Sequence, residues 1–334
     1  VLLSLFDGPA CLQVLDAIVP ALAPGAVVVN TSTVSPEEAR VLAEAVPTYV
    51  HAPVIGSVPA VRSGSLTVLA GSDDPLDPDV SDLLTALGTV HDAGSPADAA
   101  ATKLVANASL AGGLLALRET LAQADALGLD RRATLDVLSH GVLGGLVRAK
   151  RDRLVGADRP ADFTVAALAK DAALLTGSTG VPFPAAAVLE SMGVPEADIA
   201  AVATDRVEIG DVLEPLRAYV RGHATGEPGH FHEAFLPTAH IEGIRSGELV
   251  SWTLADYCAL FDGRPAPDEA SRRRRIDSVD VHETVATATM TLHHGADTFT
   301  DIFLLVRSED GWRIANKAYH RAPVPVGARV WAVD

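Results

Sequence analysis

Cysteine is nearly absent: two residues, Cys11 and Cys258, stand far apart in 334 and in no ligand spacing. A disulfide framework or cysteine metal site has no basis, and a reduced, cytoplasmic protein is the expectation. Basic residues are few, 26 Lys and Arg against 43 Asp and Glu, for a net charge of −17. That balance argues against nucleic acid or an anionic membrane as partner, since both reward clustered positive charge. The most apolar stretch, Ala108 to Leu117, ends at Arg118-Glu119 and is too short to span a bilayer. The opening residues carry no basic segment before Asp7-Gly8-Pro9 interrupts them, so no signal peptide is read. His230-Phe231-His232 and His293-His294 find no third ligand of suitable spacing, and no metal is expected. Repeats and low-complexity segments are missing too. The chain opens on Val1 inside an apolar run, which suggests that sequence precedes it.

What is present is apolar: 48% of residues are hydrophobic, enough for two or three domains with sizeable cores. Short runs at 1–6, 26–30, 49–54 and 65–70 read as strands, the β-branched 26–30 as one covered on both faces. Helical spacing fills 11–22, and Ser35-Pro36-Glu37-Glu38 carries the pattern of a capping box. Strand and helix in alternation indicate an open α/β sheet over residues 1–97. From Asp98 to Leu127 the chain has no Pro and is apolar around most of a helix, which implies burial. Further helices follow to about 205. Beyond 206 come two helices and then alternating runs at 240–244, 276–281, 284–292, 298–306 and 312–319, an α+β unit with an antiparallel sheet.

Lys103 and Asn107, four residues apart, share one helix face. A buried amine there could move a proton, and the amide could hold a substrate oxygen. Taken alone, a lysine such as Lys103 is more often a solvated helix lysine, and Lys170-Asp171 is an ordinary surface pair. Asn30-Thr31-Ser32-Thr33-Val34-Ser35-Pro36 follows a buried strand, where hydroxyls could face a ligand crevice or simply cap a helix.

In order, Asn30-x-Ser-Thr-x-x-Pro, Ala52-Pro-Val-x-Gly56, Arg62-x-Gly-x-Leu-Thr67, Lys103-Leu-x-x-Asn107 and Lys170-Asp171 resemble the 3-hydroxyisobutyrate (β-hydroxyacid) dehydrogenase family, relatives of 6-phosphogluconate dehydrogenase. The resemblance spans about 1–205. It implies a Rossmann-type domain for NAD or NADP followed by a helical domain, 98–205. It implies Lys103 as catalytic acid/base, and Asn107 with Gly56 and Ser57 at the substrate. Leu5, Phe6, Ser32, Thr33 and Lys170 would lie at the dinucleotide. The family's Gly-x-Gly-x-x-Gly occurs nowhere in the 334 residues, Ile55 stands where its loop has serine, and Ala97 and Ala99 stand where glycines precede its lysine. What remains of the sheet corresponds to the fourth strand onward, so impaired cofactor binding is expected.

Residues 206–334 carry Tyr219-Val-Arg-Gly-His223, Phe235-x-Pro-x-Ala-His240-Ile, Ile276-Asp-Ser-Val-Asp-Val, Thr300-Asp301-Ile-Phe-Leu-Leu and Trp312-Arg-Ile-Ala-Asn-Lys317. These resemble the lumazine-binding group of NTF2-like (SnoaL-like) proteins. That implies a cone of curved sheet and helices around an apolar pocket, with His240, Trp252, Tyr257 and Asp301 as candidate pocket residues. Arg272 to Arg275 reads as a solvated loop. The leading expectation is an oxidoreductase acting on a small hydroxy acid or aldehyde, homo-oligomeric. The competing one is a non-redox protein that binds or isomerises a small molecule in the C-terminal pocket.

Overall fold

The computed structural model describes residues 1–157, 159–204, 210–245 and 247–323. The chain divides into two compact units, Val1–Arg206 and Val207–Asp334.

In the first unit β1 (Leu2–Leu3), α1 (Gly8–Ile18), β2 (Val28–Asn30), α2 (Pro36–Glu44) and β3 (Tyr49–His51) build a parallel sheet in the order β1-β2-β3. β2 and β3 are buried throughout, which is why their residues are apolar or internally paired. The Ser35–Glu38 capping box forms as expected, whereas α1 begins and ends ahead of the expected 11–22, because Asp7 caps a helix where a turn was expected. Asp7 accepts from Ala10 N at 2.9 Å, and Ser35 and Glu38 cap one another's backbone at 3.1 and 2.7 Å.

The run at 49–54 is not one strand. Pro53 has no N–H to extend the ladder, and the chain leaves the sheet after His51. It continues as β4 (Val54–Ile55), α3 (Val58–Ser63), β5 (Leu66–Ala70), α4 (Pro78–Leu87) and β6 (Gly88–Asp92). These strands form a second sheet, β4-β5-β6, bridged to the first by His51 and Gly71.

α5 (Pro96–Ala126), 31 residues long, is the spine of the unit. Ser95 and Asp98 form its capping box, and Gly128, at φ +70°, follows its end. By length and composition it could cross a membrane. Burial follows one stripe, Lys103, Leu104, Asn107, Ala111, Leu114, Leu117 and Leu121. The expected all-round burial fails elsewhere: Val105 is 60% exposed, and Thr102, Ser109, Glu119, Thr120 and Gln123 give the helix a polar free face. α6 (Arg131–Leu138), α7 (Gly144–Leu154), α8 (Val165–Thr179), α9 (Pro184–Ser191) and α10 (Ala200–Thr204) complete the unit, with α8 and α10 packed on α5.

The second unit comprises α11 (Gly210–Thr225), α12 (Pro228–Ala234), β7 (Phe235–Arg245), β8 (Glu248–Thr253), α13 (Leu254–Cys258), β9 (Arg273–His282), β10 (Val285–His294), β11 (Asp297–Ser308) and β12 (Gly311–Pro323). The strands form one sheet, β8-β7-β12-β11-β10-β9, antiparallel except for β7 on β12. Ala286, Ala288, Met290 and Leu292 alternate inward from β10, and Phe303 and Leu305 from β11. With Tyr219, Phe231 and Phe235 they make a continuous core. The arginine run is not a solvated loop. Arg273 to Arg275 belong to β9, whose alternation turns Arg274 inward to a bidentate pair with Glu269 at 2.6 and 2.8 Å.

Candidate active site and a second pocket

The helix period puts Lys103 and Asn107 one turn apart on the buried stripe of α5, 8% and 4% exposed. Lys103 Nζ donates to Asn107 Oδ1 at 2.9 Å, and Asn107 Nδ2 donates to Asp171 Oδ2 at 2.6 Å. Burial pushes the Lys103 ammonium down to about 8; the Asp171 carboxylate opposes that fall and Lys170 adds to it. An amine in this state exchanges protons near neutral pH.

Lys170 and Asp171 are not an ordinary surface pair. Asp171 is 2% exposed, because α8 buries Val165, Leu168 and Ala172 and the same face includes position 171. Its Oδ1 lies 2.9 Å from Lys170 Nζ yet has no partner of hydrogen-bond geometry. Lys170 Nζ also donates to Phe6 O at 2.9 Å and Thr33 O at 2.8 Å. One ammonium thus clasps the loops that leave the carboxyl ends of β1 and β2. Phe6 is 59% exposed there, with the Lys170 ammonium 5.2 Å from its ring centre.

Ser32, 3% exposed, accepts from Leu5 N at 2.8 Å and from Cys11 Sγ at 3.3 Å. Its hydroxyl therefore holds the two loops in register. Asn30 supports the same turn: its Oδ1 accepts from Ser32 N at 2.9 Å and its Nδ2 donates to Tyr49 OH at 3.0 Å. The structure so brings Leu5, Phe6, Ser32, Thr33 and Lys170 together, and joins them to Lys103 and Asn107 through Asp171. Gly56 and Ser57 lie between β4, which packs on α5, and α3. Gly56 has φ +126°, and an added Cβ would meet Leu66 Cδ2 at 2.7 Å, so glycine is required. Among the described residues no hydrogen bond ties either to Lys103 or Asn107. Asp171 was missed from sequence, though the spacing 165, 168, 172 was its signal.

The second unit encloses a cavity of about 220 Å³. Trp252, Tyr257 and Asp301 line it; His240 does not. Alternation along β7 turns Ile241 inward, so His240 points outward, exposed, with Nδ1 3.2 Å from Ser251 Oγ. Lys317, Tyr219 and His223 join the lining instead. Lys317 Nζ donates to Asp301 Oδ2 at 2.7 Å and to Tyr219 OH at 2.6 Å, and Tyr219 OH donates to the same Oδ2 at 2.6 Å. His223 Nε2 lies 2.8 Å from Tyr257 OH. Burial lowers Lys317, with Asp301 opposing, and burial followed by the charge of Lys317 keeps His223 neutral. Both tyrosines are pushed up by burial.

Three family models match the chain. The one described as "NAD binding domain of 6-phosphogluconate dehydrogenase" covers residues 1–100. "NAD-binding of NADP-dependent 3-hydroxyisobutyrate dehydrogenase" covers 97–201, and "Putative lumazine-binding" covers 207–320. Among solved structures, a Mycobacterium tuberculosis 3-hydroxyisobutyrate dehydrogenase with L-serine is 20% identical, with a TM-score of 0.52 over 61% of this chain and 77% of its own. The 3-hydroxyisobutyrate dehydrogenase of Salmonella typhimurium is 22% identical, TM-score 0.53, over 61% and 78%. An NTF2-like protein of unknown function from Shewanella baltica OS155 is 23% identical, TM-score 0.32, over 36% and 99%. No curated protein matches. Residues 1–201 thus match the NAD-binding domain models of 6-phosphogluconate dehydrogenase and NADP-dependent 3-hydroxyisobutyrate dehydrogenase, and residues 207–320 match the lumazine-binding model, joined in one chain.

Proposed function

We propose that the first unit is an NAD(P)-dependent oxidoreductase that interconverts a small hydroxy acid and its aldehyde, with Lys103 as acid/base. The observation that carries this reading is the Lys103 amine, buried, bonded to Asn107 and pushed down to about 8. A bound nicotinamide would supply the hydride acceptor for the alcohol carbon, and the hydride donor in the reverse direction. Neutral Lys103 Nζ accepts the hydroxyl proton as the carbonyl forms, and the protonated amine gives it back in reduction. Asn107, oriented by Asp171, holds the substrate oxygen beside that amine. Gly56 and Ser57 would meet the substrate's carboxylate through backbone and hydroxyl.

Phe6, Thr33 and Lys170 would hold the nicotinamide end. The fit rests on an exposed aromatic at the carboxyl ends of parallel strands and on a buried acceptor, Asp171 Oδ1, with no hydrogen-bond partner. Residues 1–334 contain no Gly-x-Gly-x-x-Gly to cradle the pyrophosphate, so dinucleotide binding by these residues alone is expected to be weak.

The test is reduced-nicotinamide absorbance with the 334-residue chain, saturating NAD+ or NADP+, and 3-hydroxyisobutyrate or L-serine. Slow reduction that Lys103→Met abolishes supports the reading. No reduction with either cofactor overturns it for this chain.

A further inference from the structure

The cavity of the second unit is graded from a closed polar floor to an open cationic mouth. On the floor lie Asp301, Lys317 and Tyr219, none more than 4% exposed. Lys317 Nζ and Tyr219 OH both donate to Asp301 Oδ2, and the ammonium donates to Tyr219 OH as well. Asp301 Oδ1 is buried and accepts from nothing. The walls are flat and apolar: Trp252 and Tyr319 stack at 6.1 Å with 5° between their planes, and Phe299 and Tyr257 flank them. At the mouth Arg321 is held by Asp297 at 2.6 Å, whereas Arg245, exposed, has no ion-pair partner among the described residues.

We propose that this cavity binds a compact hydroxyaryl carboxylate, its hydroxyl donating to Asp301 Oδ1, its ring against the apolar wall of Trp252, Tyr319 and Phe299, and its carboxylate at Arg245. The polarity decides the orientation. A buried acceptor without a donor costs free energy that a ligand O–H recovers. The floor already holds a carboxylate balanced by one ammonium, so a second anion there would be repelled, and the anion belongs at the solvated arginine. Size decides the class: the cavity of about 220 Å³ lies below the roughly 300 Å³ from which drug-sized ligands are accommodated. His294 Nε2, buried and unpartnered on the wall, leaves room for one further polar ring substituent. The site is independent of hydride transfer in the first unit, and its failure would leave that reading untouched.

Calorimetric titration of the whole chain tests it with three probes: para-hydroxybenzoate, benzoate without the hydroxyl, and para-cresol without the carboxylate. The expected result is saturable binding of para-hydroxybenzoate, at least about tenfold tighter than either analogue. In Arg245→Ala, para-hydroxybenzoate should weaken to the level of para-cresol, and para-cresol should be unchanged. No saturable heat with para-hydroxybenzoate, benzoate binding as tightly as it does, or an Arg245→Ala variant that binds it equally well would each overturn the proposal.

Discussion

Asn107 Nδ2 donates to Asp171 Oδ2 at 2.6 Å, tying the middle of α5 to α8 across 64 residues of sequence. A carboxylate accepts only, so the amide must turn its nitrogen to Asp171 and its oxygen to the Lys103 amine. Asp171 therefore fixes which face of Asn107 meets the lysine, and its charge holds that lysine's proton affinity above what burial alone would leave. Lys103 and Asp171 have separable consequences.

Lys103→Met removes the proton acceptor and retains most of the buried stem. Turnover should fall by about 10²- to 10⁴-fold. The affinity for NAD or NADP, set by other residues, should stay within about twofold. Steady-state rates beside a calorimetric cofactor titration make the comparison; a variant with near-normal turnover would remove Lys103 from the chemistry.

The direction of the pH effect follows from which form of the amine works. Oxidation needs Lys103 neutral, so its rate should rise through about pH 8; reduction needs it protonated and should fall over the same interval. Rate profiles in both directions, with opposite slopes, are the expected result.

Asp171→Asn takes away the charge that raises the Lys103 pKa, so the oxidation limb should move to lower pH, by about 1. The amide can also accept from Asn107, so the geometry has a path to survive. A limb that stays in place or moves up would mean that the Asp171 charge does not act on Lys103.

Gly226 has φ +74°, and a Cβ there would overlap the Arg264 carbonyl oxygen. Gly226→Ala should destabilise the second unit by about 2 kcal/mol or more. Differential scanning calorimetry should show the second unit's transition lowered and that of the first unit unmoved.

Much of this architecture was legible because local rules and packing agree. The Ser35 cap, the long α5 and the inward alternation of β10 all follow from periodicity and capping chemistry. Lys103 and Asn107 could be paired from their spacing alone. Asp171 could not be joined to them, since no periodicity tells which helix face meets another 64 residues away. Lys317 was hidden for a different reason. Trp312 and Ile314 point inward, but a register shift between Ile314 and Asn316 reverses the parity, so Lys317 and Tyr319 face the cavity as well. A bulge leaves no mark in alternation until its partner strand is known. At His240 the resemblance misled, and parity corrects it: the side chain faces outward beside the buried Ile241.

The state of the Lys103 amine is what the functional account stands on, and it can be measured without cofactor. The chain has four lysines, Lys103, Lys150, Lys170 and Lys317, so ε-¹³C-lysine labelling gives a spectrum simple enough to assign, with the Lys103 signal identified by its loss in Lys103→Met. Titration of that signal should show a midpoint near pH 8. A midpoint at the ordinary lysine value of about 10.4 would contradict the account, because the amine would then be protonated wherever the enzyme must accept a proton.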